Sequence, residues 1–207
     1  MRRCVIVGAG ELSAMPDVRG GDLVIAADGG YMHLLEHGVR PDILIGDFDS
    51  LTGELPQDVE VIRHPVEKDE TDMMLAYREG YARGCREFAI FGGTGGRLDH
   101  TLANLSQLLK MKKDGCRAEL IGNGYRAYVL HGESVFRRAR EGTLISVFAM
   151  GEKAAGVTLR GLKYSAESIT LTADFPLGVS NSFTADEAYV SVDDGFLLVI
   201  EGLSHEK

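Results

Sequence analysis

The sequence predicts an α/β domain with a parallel sheet, followed by an antiparallel β domain. Three observations support this prediction. A strand, a short helix and a second strand follow one another within residues 23–46, a glycine-rich loop joins a buried strand to a helix at residues 88–100, and no helix-length amphipathic segment occurs after residue 122. So short a strand–helix–strand unit makes its two strands parallel, which indicates a wound α/β sheet in the N-terminal part.

Composition narrows the classes of protein to be considered. The chain has 207 residues, enough for one large domain or two small ones with a sizeable core. Its net charge of −9 argues against a general binder of nucleic acid or of anionic membranes. Three cysteines without metal-type spacing fit reduced thiols that fill the core of a cytoplasmic protein. The apolar run after Arg3 breaks at Gly8, too early for a signal peptide, and we expect no transmembrane segment.

The first strand is expected at residues 4–7 and opens into Gly8-Ala9-Gly10. These glycines are half of a dinucleotide-binding fingerprint, because Ser13 stands where that motif has its third glycine. A tight turn after the strand explains them equally well. The segment by itself therefore does not predict a ligand.

Acidic residues stand where the next two strands end. The apolar run Leu23 to Ala27 stops at Asp28-Gly29-Gly30, and a short helix is expected from Tyr31 to His37. Residues 43–45 form the next buried strand and lead into Gly46-Asp47-Phe48-Asp49-Ser50. Both acidic segments are thus expected at the carboxyl edge of the sheet, where open α/β sheets bind their ligands.

Three aspartates, Asp28, Asp47 and Asp49, would share that edge. Their carboxylates repel one another unless a cation neutralises them, and hard oxygen ligands without His or Cys favour Mg²⁺. An aspartate after a strand is also a common turn former or helix cap. Because there are three, beside glycines that let a ligand approach the backbone, we favour a metal and phosphate site.

A second acidic stretch, Lys68-Asp69-Glu70-Thr71-Asp72, precedes a helix predicted at residues 73–83. Thr71 or Asp69 could cap this helix, and acidic residues in a first turn suit the helix dipole. Capping accounts for one acidic residue and not for several. Lys68 could pair with a phosphate or only with its acidic neighbours.

A glycine-rich loop, Gly92-Gly93-Thr94-Gly95-Gly96, follows the buried strand at residues 88–91 and continues into Arg97-Leu98-Asp99-His100. Main-chain N–H groups of such a loop can face an anion, and the helix that follows adds positive potential. It is not a P-loop, because the Gly-Lys-Ser/Thr ending is absent. Arg97 could bind phosphate or stack on adenine. Asp99 could instead be the helix cap, and His100 a structural residue.

The helix after this loop places Leu102, Leu105, Leu108 and Leu109 at core spacing, and a strand is expected at residues 118–121. Beyond residue 122 short alternating runs are separated by glycine-containing turns, including runs at 144–149 and 157–159. That pattern is typical of an antiparallel sandwich or barrel. We expect the first domain to cover residues 1–123 and the second residues 124–207.

With these segments in place, the chain resembles the thiamine pyrophosphokinase family. The blocks that carry the resemblance are Ala27–Gly30, Pro41-Asp42, Gly46–Ser50, Lys68–Asp72, Gly92–His100 with Asn104, Gly161–Tyr164 and Gly178–Asn181. Any one block is modestly specific. The set occurs in the family's order over most of the chain and is highly specific.

The resemblance implies a Rossmann-like domain that binds ATP and Mg²⁺, followed by a β-sandwich that binds thiamine. It also implies a homodimer with active sites at the subunit interface, and transfer of pyrophosphate from ATP to the hydroxyl of thiamine, which releases AMP. The alternatives are another Mg²⁺-dependent phosphotransferase or hydrolase, and a nucleotide or thiamine diphosphate sensor without turnover.

Site residues are predicted from the resemblance together with their chemistry. The predicted metal ligands are Asp28, Asp47, Asp49 and Asp72. The predicted catalytic residues are Asp49, Lys68, Asp69, Asp72, Arg97 and Asp99, of which Asp69 or Asp99 would accept the hydroxyl proton. The predicted contacts to nucleotide or thiamine are Asp28, Gly29, Gly30, Ser50, Thr71, Thr94, Gly95, Gly96, Arg97, His100, Asn104, Ser180 and Asn181. The chain has no Trp, so Phe183 or Tyr189 would replace the tryptophan on which some relatives stack the vitamin's ring.

Overall fold

The computed structural model describes residues 2–12, 16–48, 56, 58–64 and 69–203. Its chain divides into two compact units, Met1–Asn123 and Gly124–Lys207. The first contains β1 (Arg2–Val7), β2 (Leu23–Ala27), α1 (Gly30–Glu36), β3 (Ile43–Gly46), β4 (Glu60–Arg63), α2 (Asp72–Ala82), β5 (Cys85–Phe91), α3 (Leu98–Lys113) and β6 (Arg117–Gly122). The second contains β7 (Tyr125–Leu130), β8 (Glu133–Arg138), β9 (Leu144–Arg160), β10 (Ala166–Thr172), β11 (Asn181–Ser182), β12 (Glu187–Val192) and β13 (Asp194–Gly202).

The strands of the first unit are all parallel and lie in the order β4-β3-β2-β1-β5-β6. The predicted parallel pairing of the strands at residues 23–27 and 43–46 is confirmed. From β1 the chain winds outward to β4 and then returns to the other side of β1 with β5. The direction of winding therefore reverses between β1 and β5, which is where sheets of this kind leave a crevice at their carboxyl edge.

Helices cover both faces of this sheet. Val5 and Val7 of β1 share a buried cluster with Leu34 of α1. On the opposite face, Tyr77 of α2 packs edge-on against Phe88 of β5, with 5.1 Å between the ring centroids. All three cysteines are buried free thiols, as predicted for core residues. Within the described part of the chain, no helix has the length and apolar character needed to cross a membrane.

The buried face of α3 differs from the predicted leucine stripe. Leu108 is buried, but Leu102 is 56% exposed, and Asn104 and Gln107 are buried instead. The physical reason is hydrogen bonding, since Asn104 Nδ2 donates to Gly93 O at 2.6 Å and Gln107 Nε2 donates to Met73 O at 2.9 Å. Through these amides α3 holds the glycine-rich loop and the first turn of α2.

The second unit is antiparallel, with strand order β7-β13-β9-β12-β8 and with β10 and β11 also paired to β9. The runs at residues 144–149 and 157–159, predicted as separate strands, belong to the single 17-residue strand β9. Gly151 and Gly156 within it have positive φ angles of 116° and 66°. β9 thereby passes from β13 and β11 at its start to β12 and β10 at its end.

A buried carboxylate connects three strands of the second unit. Glu201 of β13 is 3% exposed and accepts hydrogen bonds from Arg126 of β7, from Arg137 of β8 and, at 3.2 Å, from the Tyr128 hydroxyl. Burial raises the pKa of Tyr128, which keeps its hydroxyl a donor. β8 pairs with β12 in the sheet, so the Arg137 side chain adds a link from β8 to β13. Two cations compensate the cost of burying this one carboxylate.

Replacing Glu201 by Gln is expected to lower the free energy of unfolding by about 3 kcal/mol, because two partly buried guanidinium groups lose their anion. The matched control is Glu167→Gln, which removes an exposed ion pair with Arg160 and should cost at most about 1 kcal/mol. Urea unfolding monitored by circular dichroism measures both. Equal, small losses in the two variants would contradict this role of Glu201.

Candidate active site

The loops that follow β1 and β5 are hydrogen-bonded to each other where the winding of the sheet reverses. Gly8 N donates to Phe91 O at 2.9 Å, Gly10 N to Gly92 O at 2.8 Å, and Glu11 N to Thr94 O at 2.7 Å. A Cβ atom on Gly10 would lie 2.4 Å from the carbonyl oxygen of Thr94. The approach of the two loops therefore requires glycine at position 10.

A cavity of about 590 Å³ opens beside these loops, a size typical of small-molecule sites. Its lining residues are Ala9, Gly10, Glu11, His33, Met73, Gly92, Gly93, Gly95, Gly96, Arg97, His100 and Asn104. The last five were predicted as site residues. The sequence did not identify Glu11, His33 or Met73, because they come from three segments that only the fold brings together.

Arg97 and Asp99 form an exposed ion pair at the start of α3. Arg97 Nε lies 3.1 Å from Asp99 Oδ1, and Arg97 Nη2 lies 2.5 Å from Asp99 Oδ2. The N-cap position is occupied by Arg97, so Asp99 lies inside the first turn and is not the cap. The guanidinium lowers the pKa of the Asp99 carboxyl, which makes its carboxylate a weaker proton acceptor.

His33 of α1 supports the first of the two loops. Its Nε2–H group donates to Gly10 O at 2.8 Å, because a carbonyl oxygen can only accept. Gly30, predicted as a ligand contact, has a packing role here, since a Cβ atom on it would lie 1.9 Å from Val7 O. A Cβ atom on the neighbouring Gly29 would lie 3.0 Å from the Cβ of Ala9, which lines the cavity.

The ends of β2 and β3 bring two of the predicted acids to the same edge. Asp28 N donates to Ile45 O at 2.7 Å, and a Cβ atom on Gly46 would lie 3.2 Å from Asp28 Cα. Asp47 follows directly and is half-buried. Asp28 and Phe48 both have positive φ angles, of 49° and 60°. Such strained backbone is uncommon outside glycine and is concentrated at functional sites.

The start of α2 lies at this edge as well. Thr71 is the N-cap of α2, and its Oγ1 accepts from Met74 N at 3.2 Å, which confirms the capping role and gives Thr71 a structural function. Asp72 is the first helical residue and adjoins Met73, which lines the cavity. Asp69 lies just before the cap and is exposed.

Not every predicted metal or phosphate residue can be placed. Asp49, Ser50 and Lys68 lie outside the described residues. Among the residues that are described, no three His, Cys, Asp or Glu side chains form a group that could hold a metal ion. Thr94 is buried, and its main chain, through its carbonyl oxygen, takes part in the contact between the loops.

The predicted thiamine contacts lie in the second unit and differ in their exposure. Ser180 is exposed, has a φ angle of 57°, and its N–H donates to Ser146 Oγ at 3.1 Å. Asn181 is only 4% exposed, and its amide is bound to the main chain of Tyr164. Phe183 is 2% exposed within the core cluster, so the expectation that it could stack on a ligand is wrong.

Two family models match this chain. One, described as "Thiamin pyrophosphokinase, catalytic domain", matches residues 18–120, and one described as "Thiamin pyrophosphokinase, vitamin B1 binding domain" matches residues 133–197. The chain is also 30% identical over 210 residues to a thiamine pyrophosphokinase of Bacillus subtilis, covering 97% of this chain and 98% of the relative.

Solved structures agree with these matches. The chain is similar to the crystal structure of thiamine pyrophosphokinase from Bacillus subtilis, with a TM-score of 0.86 and 27% identity over 98% of this chain and 100% of that one. It is likewise similar to the thiamin pyrophosphokinase of Geobacillus thermodenitrificans, with a TM-score of 0.84 and 29% identity over 99% of each chain.

Gly10→Ala is expected to push the two loops apart, lower the free energy of unfolding by about 1–3 kcal/mol, and weaken binding of a nucleoside triphosphate. The control is Gly20→Ala, because a Cβ atom on Gly20 would meet nothing within 4 Å and should change stability by no more than about 0.5 kcal/mol. Urea unfolding and calorimetric titration measure the two effects. Unchanged nucleotide affinity in Gly10→Ala would contradict this prediction, because it would mean that nucleotide binding does not depend on the contact between the loops.

Proposed function

The chain belongs to the thiamin pyrophosphokinase family, and we propose that it transfers pyrophosphate from ATP to the hydroxyl of thiamine with ATP held in the cavity between the loops after β1 and β5. The observation that carries this proposal is the composition of the cavity. A glycine-rich loop, the first turn of α3 and Arg97 line it, and the acids at the ends of β2 and β3 adjoin it through Gly29 and Ala9.

The described lining of the cavity offers main-chain N–H donors and the permanent positive charge of Arg97 to the phosphates, and it also contains the carboxylate of Glu11. Gly95 and Gly96 have positive φ angles of 83° and 70°, and the main-chain N–H groups of such a glycine-rich turn can face an anion. The 16-residue helix α3 begins directly afterwards and adds the positive end of its dipole. Arg97 would exchange part of its pairing with Asp99 for a phosphate oxygen, with Lys68 as a second cation.

The residues at the sheet edge fit a hard divalent cation. Asp28 and Asp47 supply carboxylate oxygens from neighbouring strand ends, one Asp28 oxygen is buried, and one or two carboxylates plus substrate phosphates are the usual protein share of a Mg²⁺ site. We assign Asp28, Asp47, Asp49 and Asp72 to this role. When bound, Mg²⁺ would neutralise part of the phosphate charge.

The reaction itself asks the chain mainly for orientation. The thiamine hydroxyl oxygen forms a bond to the β-phosphorus of ATP while the bond from that phosphorus to the α,β-bridging oxygen breaks, and AMP leaves. Holding the hydroxyl in line with the leaving oxygen supplies most of the advantage. We assign the acceptance of the hydroxyl proton to Asp69, since the Asp99 carboxylate is hydrogen-bonded to Arg97 and serves to orient it.

Residues 124–207 are proposed to bind thiamine and to form the homodimer, with active sites at the subunit interface. We likewise propose a Rossmann-like first unit, a β-sandwich second unit and a cytoplasmic location, and the resemblance to the family supports each of these. On the thiamine side, Ser180 is exposed, and Tyr164 replaces Phe183 as the aromatic candidate because its side chain is 62% exposed.

The product nucleotide distinguishes this reaction from its alternatives. Incubation with ATP, Mg²⁺ and thiamine should give AMP and thiamine diphosphate in equal amounts, measured by ion-exchange chromatography, whereas an ordinary kinase or ATPase gives ADP. Asp47→Asn should lower kcat/KM at least about 100-fold, as loss of a phosphate-site charge does. Asp17→Asn, at an exposed pair with Arg19, should leave it unchanged. ADP as the product, or nucleotide binding without turnover, would contradict the proposal.

A further inference from the structure

Tyr164 is an exposed aromatic residue whose main chain is held by the side chain of another residue. Its N–H donates to Asn181 Oδ1 at 2.9 Å, and its carbonyl oxygen accepts from Asn181 Nδ2 at 2.7 Å. One side-chain amide thus satisfies both main-chain polar groups of Tyr164, as a neighbouring strand would. The Tyr164 side chain nevertheless remains 62% exposed.

The Asn181 side chain is itself held in place by burial and by a further hydrogen bond. It is 4% exposed, and its Oδ1 also accepts from Ser182 N at 3.0 Å. The segments on either side are paired, since Lys163 N donates to Ser182 O at 2.9 Å and Leu162 forms an isolated antiparallel bridge with Phe183. A buried amide that lost these partners would incur a desolvation cost of its own, so the arrangement is strongly specified.

An exposed tyrosine alone would need no explanation. What distinguishes Tyr164 is that both hydrogen-bonding groups of a buried amide bind the main chain of this one exposed residue. By contrast, the Tyr189 ring already packs on Phe136, with 5.0 Å between centroids, and faces the Arg160 guanidinium at 5.4 Å. The Tyr164 ring is therefore more accessible to a ligand than the Tyr189 ring.

The chemistry of thiamine suits such a ring. Thiamine combines a flat aminopyrimidine with a thiazolium cation, and a tyrosine face attracts both flat aromatic groups and cations. The Tyr164 ring already has the ammonium group of Lys163 5.5 Å from its centroid. Because Asn181 already fixes the main chain that carries the ring, less backbone freedom is lost when the ligand arrives.

We propose that Asn181 is a positioning residue, which acts on thiamine through Tyr164 and does not touch the substrate. This inference rests on the proposed function. It predicts that the effects of changing the two residues on thiamine binding are not independent, because Asn181 contributes only while the ring is present.

The test is a double-mutant cycle in the full chain, with KM for thiamine, KM for ATP, kcat and unfolding free energy measured for each variant. Tyr164→Ala should raise the thiamine KM about tenfold, as loss of an aromatic stacking partner does, and leave the ATP KM within about twofold. Asn181→Ala should raise the thiamine KM in the same way. The double variant should resemble Tyr164→Ala alone.

Thr158→Val is the matched control for lost stability. Thr158 is also a buried polar residue of the second unit, and its Oγ1 accepts from Ser168 N at 3.1 Å and not from the main chain of Tyr164. This variant should be destabilised like Asn181→Ala but keep its thiamine KM. If Asn181→Ala does not fold, Asn181→Asp keeps the volume and places a carboxylate oxygen against Tyr164 O, with the same KM shift expected.

Two outcomes would overturn the inference. Independent, multiplying effects in the cycle would mean that Asn181 contacts thiamine directly, and a normal thiamine KM in Asn181→Ala or Asn181→Asp would mean that the hydrogen bonds have no bearing on the substrate. Both outcomes require a wild-type enzyme that produces AMP. A wild-type chain that forms no AMP would instead contradict the proposed function.

Discussion

The contact between the loops after β1 and β5 is the constraint on which the proposed ATP site depends. Parallel strands wound outward in two directions leave a crevice at the point of reversal, and here three main-chain hydrogen bonds fix its wall. Because Gly10 and Gly92 lie so close to the opposite carbonyl oxygens, larger residues would separate the loops. Because this contact fixes the glycine-rich loop, it also sets the positions of Arg97, His100 and the start of α3.

Buried side-chain amides are a second recurring device. Asn104 holds the carbonyl oxygen of Gly93, Gln107 holds that of Met73, and Asn181 holds both polar groups of Tyr164. Each links a buried residue to the main chain of a segment with a proposed functional role. A buried amide is costly unless its partners are in place, so each of these bonds specifies one loop position and disfavours others.

The sequence predicts the strands of the parallel sheet better than it predicts which helix residues are buried. The apolar runs of β2 and β3 and their short connection leave one parallel arrangement, which the register between Ile25 and Ile43 confirms. Hydrophobic spacing failed on α3, where Leu102 is exposed while Asn104 and Gln107 are buried. Hydrophobic spacing alone could not predict which residues of α3 are buried. An amide side chain turns inward only where it meets carbonyl groups, and these lie far away in the sequence. The same limit applies to β9. Its glycines lie where the strand changes its neighbouring strands, and they do not end the strand.

The central claim is that one edge of the first unit holds the triphosphate and its cation. Crystals grown with Mn²⁺ and a non-hydrolysable ATP analogue test it most directly, because an anomalous difference map locates the metal without reference to any side-chain assignment. We expect a manganese peak bound by Asp47 and by phosphate oxygens, with the nucleotide beside Gly95 and Arg97. A metal and nucleotide bound to residues 124–207, or to another edge of the sheet, would contradict it.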